Sequence, residues 1–141
     1  VRWNPEIDRE RRVAIYDLIE ENYFAPESGL IGPFNLYLES QENRLVFELT
    51  SVNPPNGKET VVLSLMGFRR LIKDYFTVCE SYYNAIKHSS PQQIEALDMG
   101  RRSLHNEGSE LLLKRLRGKI GVDFNTARRL FTLICILQLR G

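Results

Sequence analysis

The spacing of apolar residues changes at Gly67, and that change decides the fold class. From residue 34 to 65 the apolar residues alternate. Phe34, Leu36 and Leu38 share one face of "FNLYLE", Leu45, Phe47 and Leu49 one face of "RLVFELT", and Val61, Leu63 and Leu65 one face of "TVVLSL". A period of two marks half-buried strands. "SQEN" after the first strand and "NPPNG" (53–57) after the second are turn signals. Three antiparallel strands with one apolar face form a meander, which needs cover from helices.

After Gly67 the period becomes helical. Phe68, Leu71, Ile72, Tyr75, Phe76, Cys79, Tyr82, Tyr83 and Ile86 form one broad stripe. Ser90, Pro91 and Gln93 have the order of a cap, a first helical residue and a capping-box partner. The helix they start is expected to run through "MGRRSLHNEG" (99–108) to about Lys119. "GVD" breaks the chain, and Asp123 caps a last helix carrying Phe124, Ala127, Leu130, Phe131, Ile134 and Leu137. Ahead of the strands, Asn4, Pro5 and Glu6 start a helix whose apolar positions are Ile7, Ala14, Ile15, Leu18 and Ile19. Residues 25–33, with two prolines and two glycines, read as a loop. The expectation is one α+β domain over 1–141: an N-terminal helix, a three-stranded antiparallel meander, then three C-terminal helices packed as a layer or bundle.

Net charge is +1, but residues 1–60 hold six basic and eleven acidic residues, whereas 61–141 hold thirteen and seven. An acidic half of net −5 and a basic helical half of net +6 attract each other, within one chain or across a dimer. Cys79 and Cys135 lie in apolar helical patterns with no zinc or redox spacing, so both read as buried, reduced thiols suited to a cytosol. The most apolar run, "LFTLICILQL" (130–139), spans about 15 Å as a helix, too short for a bilayer, so membrane insertion is not expected. No signal peptide is visible, and the start at Val1 rather than Met leads us to expect a lost leader or lost disordered residues.

The "MGRRSLHNEG" segment holds His105, one of two histidines. On a helix, Ile94, Leu97, Arg101, Leu104, Gly108 and Leu111 fall on one stripe, where Arg101 and Gly108 are out of place. Arg101 there needs a partner, and Asp98, three residues before it, is available. Gly108 in a helix interior costs about 1 kcal/mol relative to Ala, which the close approach of another backbone would explain. His105 lies one residue past the stripe, a position suited to the rim of a helix interface. Glu107, two residues on, faces elsewhere, so a local His105–Glu107 acid–base dyad is geometrically poor. His88 and His105 share no helical face with further ligands, so no metal is expected, and no glycine-rich phosphate loop or nucleophile elbow calls for a cofactor.

Read together, "VAIYDLIEEN", "NRLVFEL", "FRRLIKDYFTVCESYYNAI", "IEALDMGRRSLHNEG" and "VDFNTARRLFTLICIL" resemble the uncharacterised protein family 0262 of alphaproteobacteria. The resemblance covers almost the whole chain and is most specific in "DMGRRSLHNEG" and "DFNTARRLFTL". It implies a small bacterial cytosolic protein and transfers no reaction, cofactor, partner or residue role.

The leading expectation is a non-enzymatic protein-interaction module in the cytoplasm that binds another protein or forms a homodimer. It rests on the split charge, the lack of a catalytic motif, and a last helix apolar nearly all round, which is either central in the core or covered by a second chain. The alternative is an anion or phosphate-ligand binder, or an enzyme, centred on Arg101, Arg102, His105 and Glu107, with Arg128 and Arg129 as further arginines. There the guanidiniums clamp an anion and the histidine moves a proton. Convergence of these side chains on one pocket favours the alternative. A third reading is nucleic-acid association through Arg69, Arg70, Lys73, Lys114, Arg115, Arg128 and Arg129, and the near-neutral charge argues against it.

Overall fold

A computed structural model of the chain describes residues 3–53 and 57–139. Its elements in order are α1 (Pro5–Glu20), β1 (Phe24–Pro26), β2 (Phe34–Gln41), β3 (Arg44–Ser51), β4 (Lys58–Ser64), α2 (Phe68–His88), α3 (Pro91–Leu116), β5 (Ile120–Val122) and α4 (Phe124–Leu137). The α+β order of helix, meander and three helices is the expected one. Two short strands are additional. β1 pairs antiparallel with β5, Phe24 opposite Val122 and Pro26 opposite Ile120, so part of the expected 25–33 loop and the "GVD" break form a second small sheet.

The meander has the order β2-β3-β4. Its register places Leu36 opposite Leu49, Leu38 opposite Phe47, and Phe47 opposite Val61. All three alternating sets therefore face the core, and Leu45, Phe47, Leu49, Val61, Leu63 and Leu65 are buried. The first turn is tighter than "SQEN" suggested. Gln41 pairs with Arg44, and Glu42 takes the left-handed conformation in a two-residue loop. Of the turn expected at 53–57, residues 54–56 lie outside the described residues.

Each expected cap forms. Asn4 Oδ1 accepts from Ile7 N at 2.9 Å. Ser90 and Gln93 complete the capping box of α3, and Asp123 Oδ1 accepts from Thr126 N at 2.8 Å. α3 ends at Leu116 rather than near Lys119, and Gly118, with φ +83°, turns the chain into β5.

α4 lies at the centre. It packs against α1, α3 and β2, and Leu130, Phe131, Ile134 and Cys135 are buried. Most of its apolar circumference is buried inside one chain, while Leu137 is 41% exposed. The helical stripes differ from expectation in places, and Ile86 at the end of the expected α2 stripe is 52% exposed. On α1, Ile7 and Ala14 are buried while Ile19 is 74% exposed. On α3 the buried residues are Gly108, Ser109, Leu112 and Leu116, whereas Leu104 and Leu111 are half-buried. The deep face is rotated by one residue because α3 packs against both α2 and α4. Ser109 is tolerated there because its hydroxyl donates to the His105 carbonyl at 2.7 Å. Cys79 and Cys135 are free and buried, as expected. Among the described residues no helix is long and apolar enough to cross a membrane.

Candidate functional site

α3 rests on α4, α1 leans on α4, and α2 leans on α3. The four helices leave a groove of about 850 Å³ between them. α1 gives it Glu6, Arg9, Glu10, Val13, Ala14 and Asp17, whose spacing of three and four keeps them on one face. α2 adds Tyr75, Tyr82, Tyr83, Ile86 and Lys87. α3 adds Arg101, Arg102 and His105, and α4 adds Asn125, Arg128, Arg129 and Thr132. Arg101, Arg102, His105, Arg128 and Arg129, singled out from the sequence, therefore meet in one place. Glu107 does not join them. It lines a separate cleft with Arg70 and Asp74, facing away from His105.

The arginines divide into two sets. Arg101 is a fixed strut. Its Nη2 donates to Asp98 Oδ1 at 2.6 Å, its Nη1 lies 3.6 Å from Glu10 Oε1, and its guanidinium sits 4.7 Å from the Tyr82 ring centroid. The expected Asp98 partner is thus present, and Glu10 and Tyr82 join it from other helices. Arg102 shares Asp98 at 3.2 Å, and Arg129 lies 3.9 Å from Asp17. Arg9, Lys87 and Arg128, in contrast, make no ion pair with any described residue. The pairs Arg101–Glu10 and Arg129–Asp17 join the acidic and basic halves of the sequence, so at least part of the charge split acts within one chain.

His105 forms the floor. Its Nε2 lies 2.7 Å from Thr132 Oγ1, and the Thr132 hydroxyl is also 3.3 Å from the Arg128 carbonyl oxygen, which can accept from it. The imidazole packs against the Tyr75 and Phe131 rings at centroid distances of 5.4 and 5.3 Å. Burial, reinforced by the positive charges of Arg128 and Arg101, lowers its pKa to about 4. At neutral pH it is an uncharged hydrogen-bonding group.

Polar atoms without full partners concentrate here. Among the described residues, Arg101 Nε and Arg129 Nε in the groove are buried without a hydrogen bond. Tyr83 hydrogen-bonds the Glu10 carboxylate, and burial raises the pKa of Glu10 against the opposing pull of Arg101 and of that hydrogen bond. Glu10, Arg9, Tyr83, Lys87 and Thr132 were not singled out from the sequence. Only the α1 residues carried a signal, a polar set recurring at helical spacing.

Gly108 has a different cause from the expected backbone approach. A Cβ there would run into the ring of Phe131. The other basic clusters do not gather on the groove. Arg69 donates to the Glu42 carbonyl and Asn43, and Arg115 donates to the Ser64 and Met66 carbonyls, clamping the turns beside the sheet. Among the described residues no group of three or more His, Cys, Asp or Glu side chains could hold a metal ion.

The model of an uncharacterised protein family (UPF0262) matches residues 1–140. A UPF0262 protein of Paramagnetospirillum magneticum is 57% identical over 100% of this chain and 89% of its own length. One from Sphingopyxis alaskensis is 55% identical over 98% of this chain and 86% of its own. One from Rhizobium johnstonii is 55% identical over 99% and 88%. No solved structure matches the chain.

Proposed function

The chain belongs to the uncharacterised protein family UPF0262, and we propose that it is a binding protein for a small phosphate- or carboxylate-bearing ligand held between α1, α2, α3 and α4. The observation that carries this reading is the convergence of six basic side chains on one groove, three of them without an acidic partner. Like charges gathered in a partly enclosed space repel, and an anion relieves that repulsion while gaining charge-assisted hydrogen bonds. Arg128, Arg9 and Lys87 supply the free charge. The hydrogen-bonded pair of Thr132 and neutral His105 forms an uncharged floor beside Arg128. A base whose pKa is held to about 4 takes up little proton at neutral pH, which favours binding over general-base chemistry.

Titration of inorganic phosphate into isotope-labelled protein at low ionic strength tests this. Saturable amide shifts at Arg128, Thr132 and His105, lost in Arg128→Ala, are expected. Unchanged spectra, or the same shifts in the variant, would overturn the reading.

A further inference from the structure

We propose that the outer edge of β4 is the seam of a two-fold homodimer, in which two three-stranded meanders join into one continuous sheet. The direction of the backbone is the first argument. The Leu65 amide donates to the Asn43 carbonyl at 2.7 Å, and the Gly57 carbonyl accepts from the Ser51 amide at 3.2 Å. β4 pairs with β3 in unbroken register between these two bonds, so its odd-numbered residues turn their backbone groups to β3. Lys58, Thr60, Val62 and Ser64 then turn theirs to the other side. No described strand pairs there, and all four residues are exposed. Arg115 holds the Ser64 carbonyl at 3.4 Å and leaves the groups of Lys58, Thr60 and Val62 open. A row of open backbone groups is a template for another strand.

Charge selects the strand. By alternation Glu59 lies on the covered face with the buried Val61 and Leu63, and its Oε1 is buried without a hydrogen bond. An inward acid beside an open edge resists any strand that brings no cation to it. A second copy brings Arg115. With the two-fold axis at Val61, β4 pairs antiparallel with itself. Lys58 then meets Ser64, Thr60 meets Val62, and Glu59 meets Leu63 of the second copy. The second copy's Arg115 guanidinium sits at its own Ser64 and Met66 carbonyls, at 3.4 and 2.8 Å. Ser64 is one residue past Leu63, about 3.4 Å along a strand that runs about 4.8 Å from Glu59. Arg115 also approaches from the correct face, since Leu112 and Leu116 of α3 share the core with Val61 and Leu63. Symmetry forms the Glu59–Arg115 pair twice. Moving the axis to Thr60 puts Glu59 opposite Val61, about 7 Å farther from that cation.

Sedimentation over a range of concentrations is expected to give the wild type the mass of two chains. Thr60→Pro removes an outward amide and spares the bonds to β3, so the dimer should weaken at least about tenfold. Glu59→Arg and Arg115→Glu should each be monomers, because like charges then face each other at both ends of the seam. Their equimolar mixture should regain the dimer, because both ion pairs form again between the two variants. Val61→Cys, treated with glutathione disulfide, should give a covalent dimer that the wild type does not, since the two thiols then face each other across the axis. Far-UV circular dichroism checks folding, and Val61→Cys carries the test if a charge variant does not fold. A monomeric wild type, a dimer indifferent to Thr60→Pro, folded charge variants that do not pair on mixing, or an absent crosslink would each overturn the proposal. None of these four positions lines the groove between the helices, so the two readings fail separately.

Discussion

Replacing Gly108 by alanine sets two effects of opposite sign against each other. In a helix interior alanine is favoured over glycine by about 1 kcal/mol, so propensity alone predicts a more stable protein. The packing predicts the reverse. The added methyl would enter the space held by the ring of Phe131, which is buried and flanked by His105 at 5.3 Å and Tyr75 at 6.3 Å between ring centroids. The ring is fully buried against these two neighbours, so moving it shifts the groove floor as well. Overpacking of this kind costs about 1–3 kcal/mol, and a ring locked on two sides belongs at the upper end. Net destabilisation is then about 2 kcal/mol, or a fall of about 6 °C in melting temperature for a chain of this size. Urea titration followed by circular dichroism measures it directly. A midpoint equal to or above that of the wild type would refute the steric account. Combining Gly108→Ala with Phe131→Leu supplies the internal check. Removing the ring should make the alanine nearly harmless, with a coupling of at least about 1 kcal/mol.

Thr132→Val removes the hydroxyl against His105 Nε2, and a loss of about 1–2 kcal/mol by the same titration is expected, together with a displaced His105 ring signal by NMR. The lowered pKa of His105 gives a signed pH dependence. The unfolded histidine takes a proton near pH 6.5 and the folded one only near about 4, so its contribution is fully present above 6.5 and is lost as pH falls toward 4. That loss amounts to roughly 3 kcal/mol at most, and His105→Gln should flatten this part of the stability profile. Asp123→Ala removes the cap of α4 and should cost about 1 kcal/mol, seen as a lower urea midpoint. Raising salt should weaken phosphate binding to the wild type while leaving the structure, read by circular dichroism, unchanged.

The candidate site was legible in part. Asp98 and Arg101 lie three residues apart on a helix, and that spacing alone brings them together. Nothing local brings Glu10 to Arg101, because α1 and α3 are separated in sequence by the meander and α2. The oddity of Gly108 was visible, but its neighbour was not, since a helix records only that something comes close. The three-residue strands β1 and β5 escaped notice because each is too short to show a period and each depends on the other. The apolar final helix was read with two outcomes open, and only its neighbours on three sides show that it is central in the core.

Period, caps and turn residues decided the helices, the meander and its inward face, because these follow from backbone geometry within a few residues. Tertiary packing decided which side of α3 is deepest, what crowds Gly108, and which arginines remain unpaired. Those depend on how helices far apart in the chain settle against one another, and side-chain spacing along one helix does not encode the angle at which it meets the next.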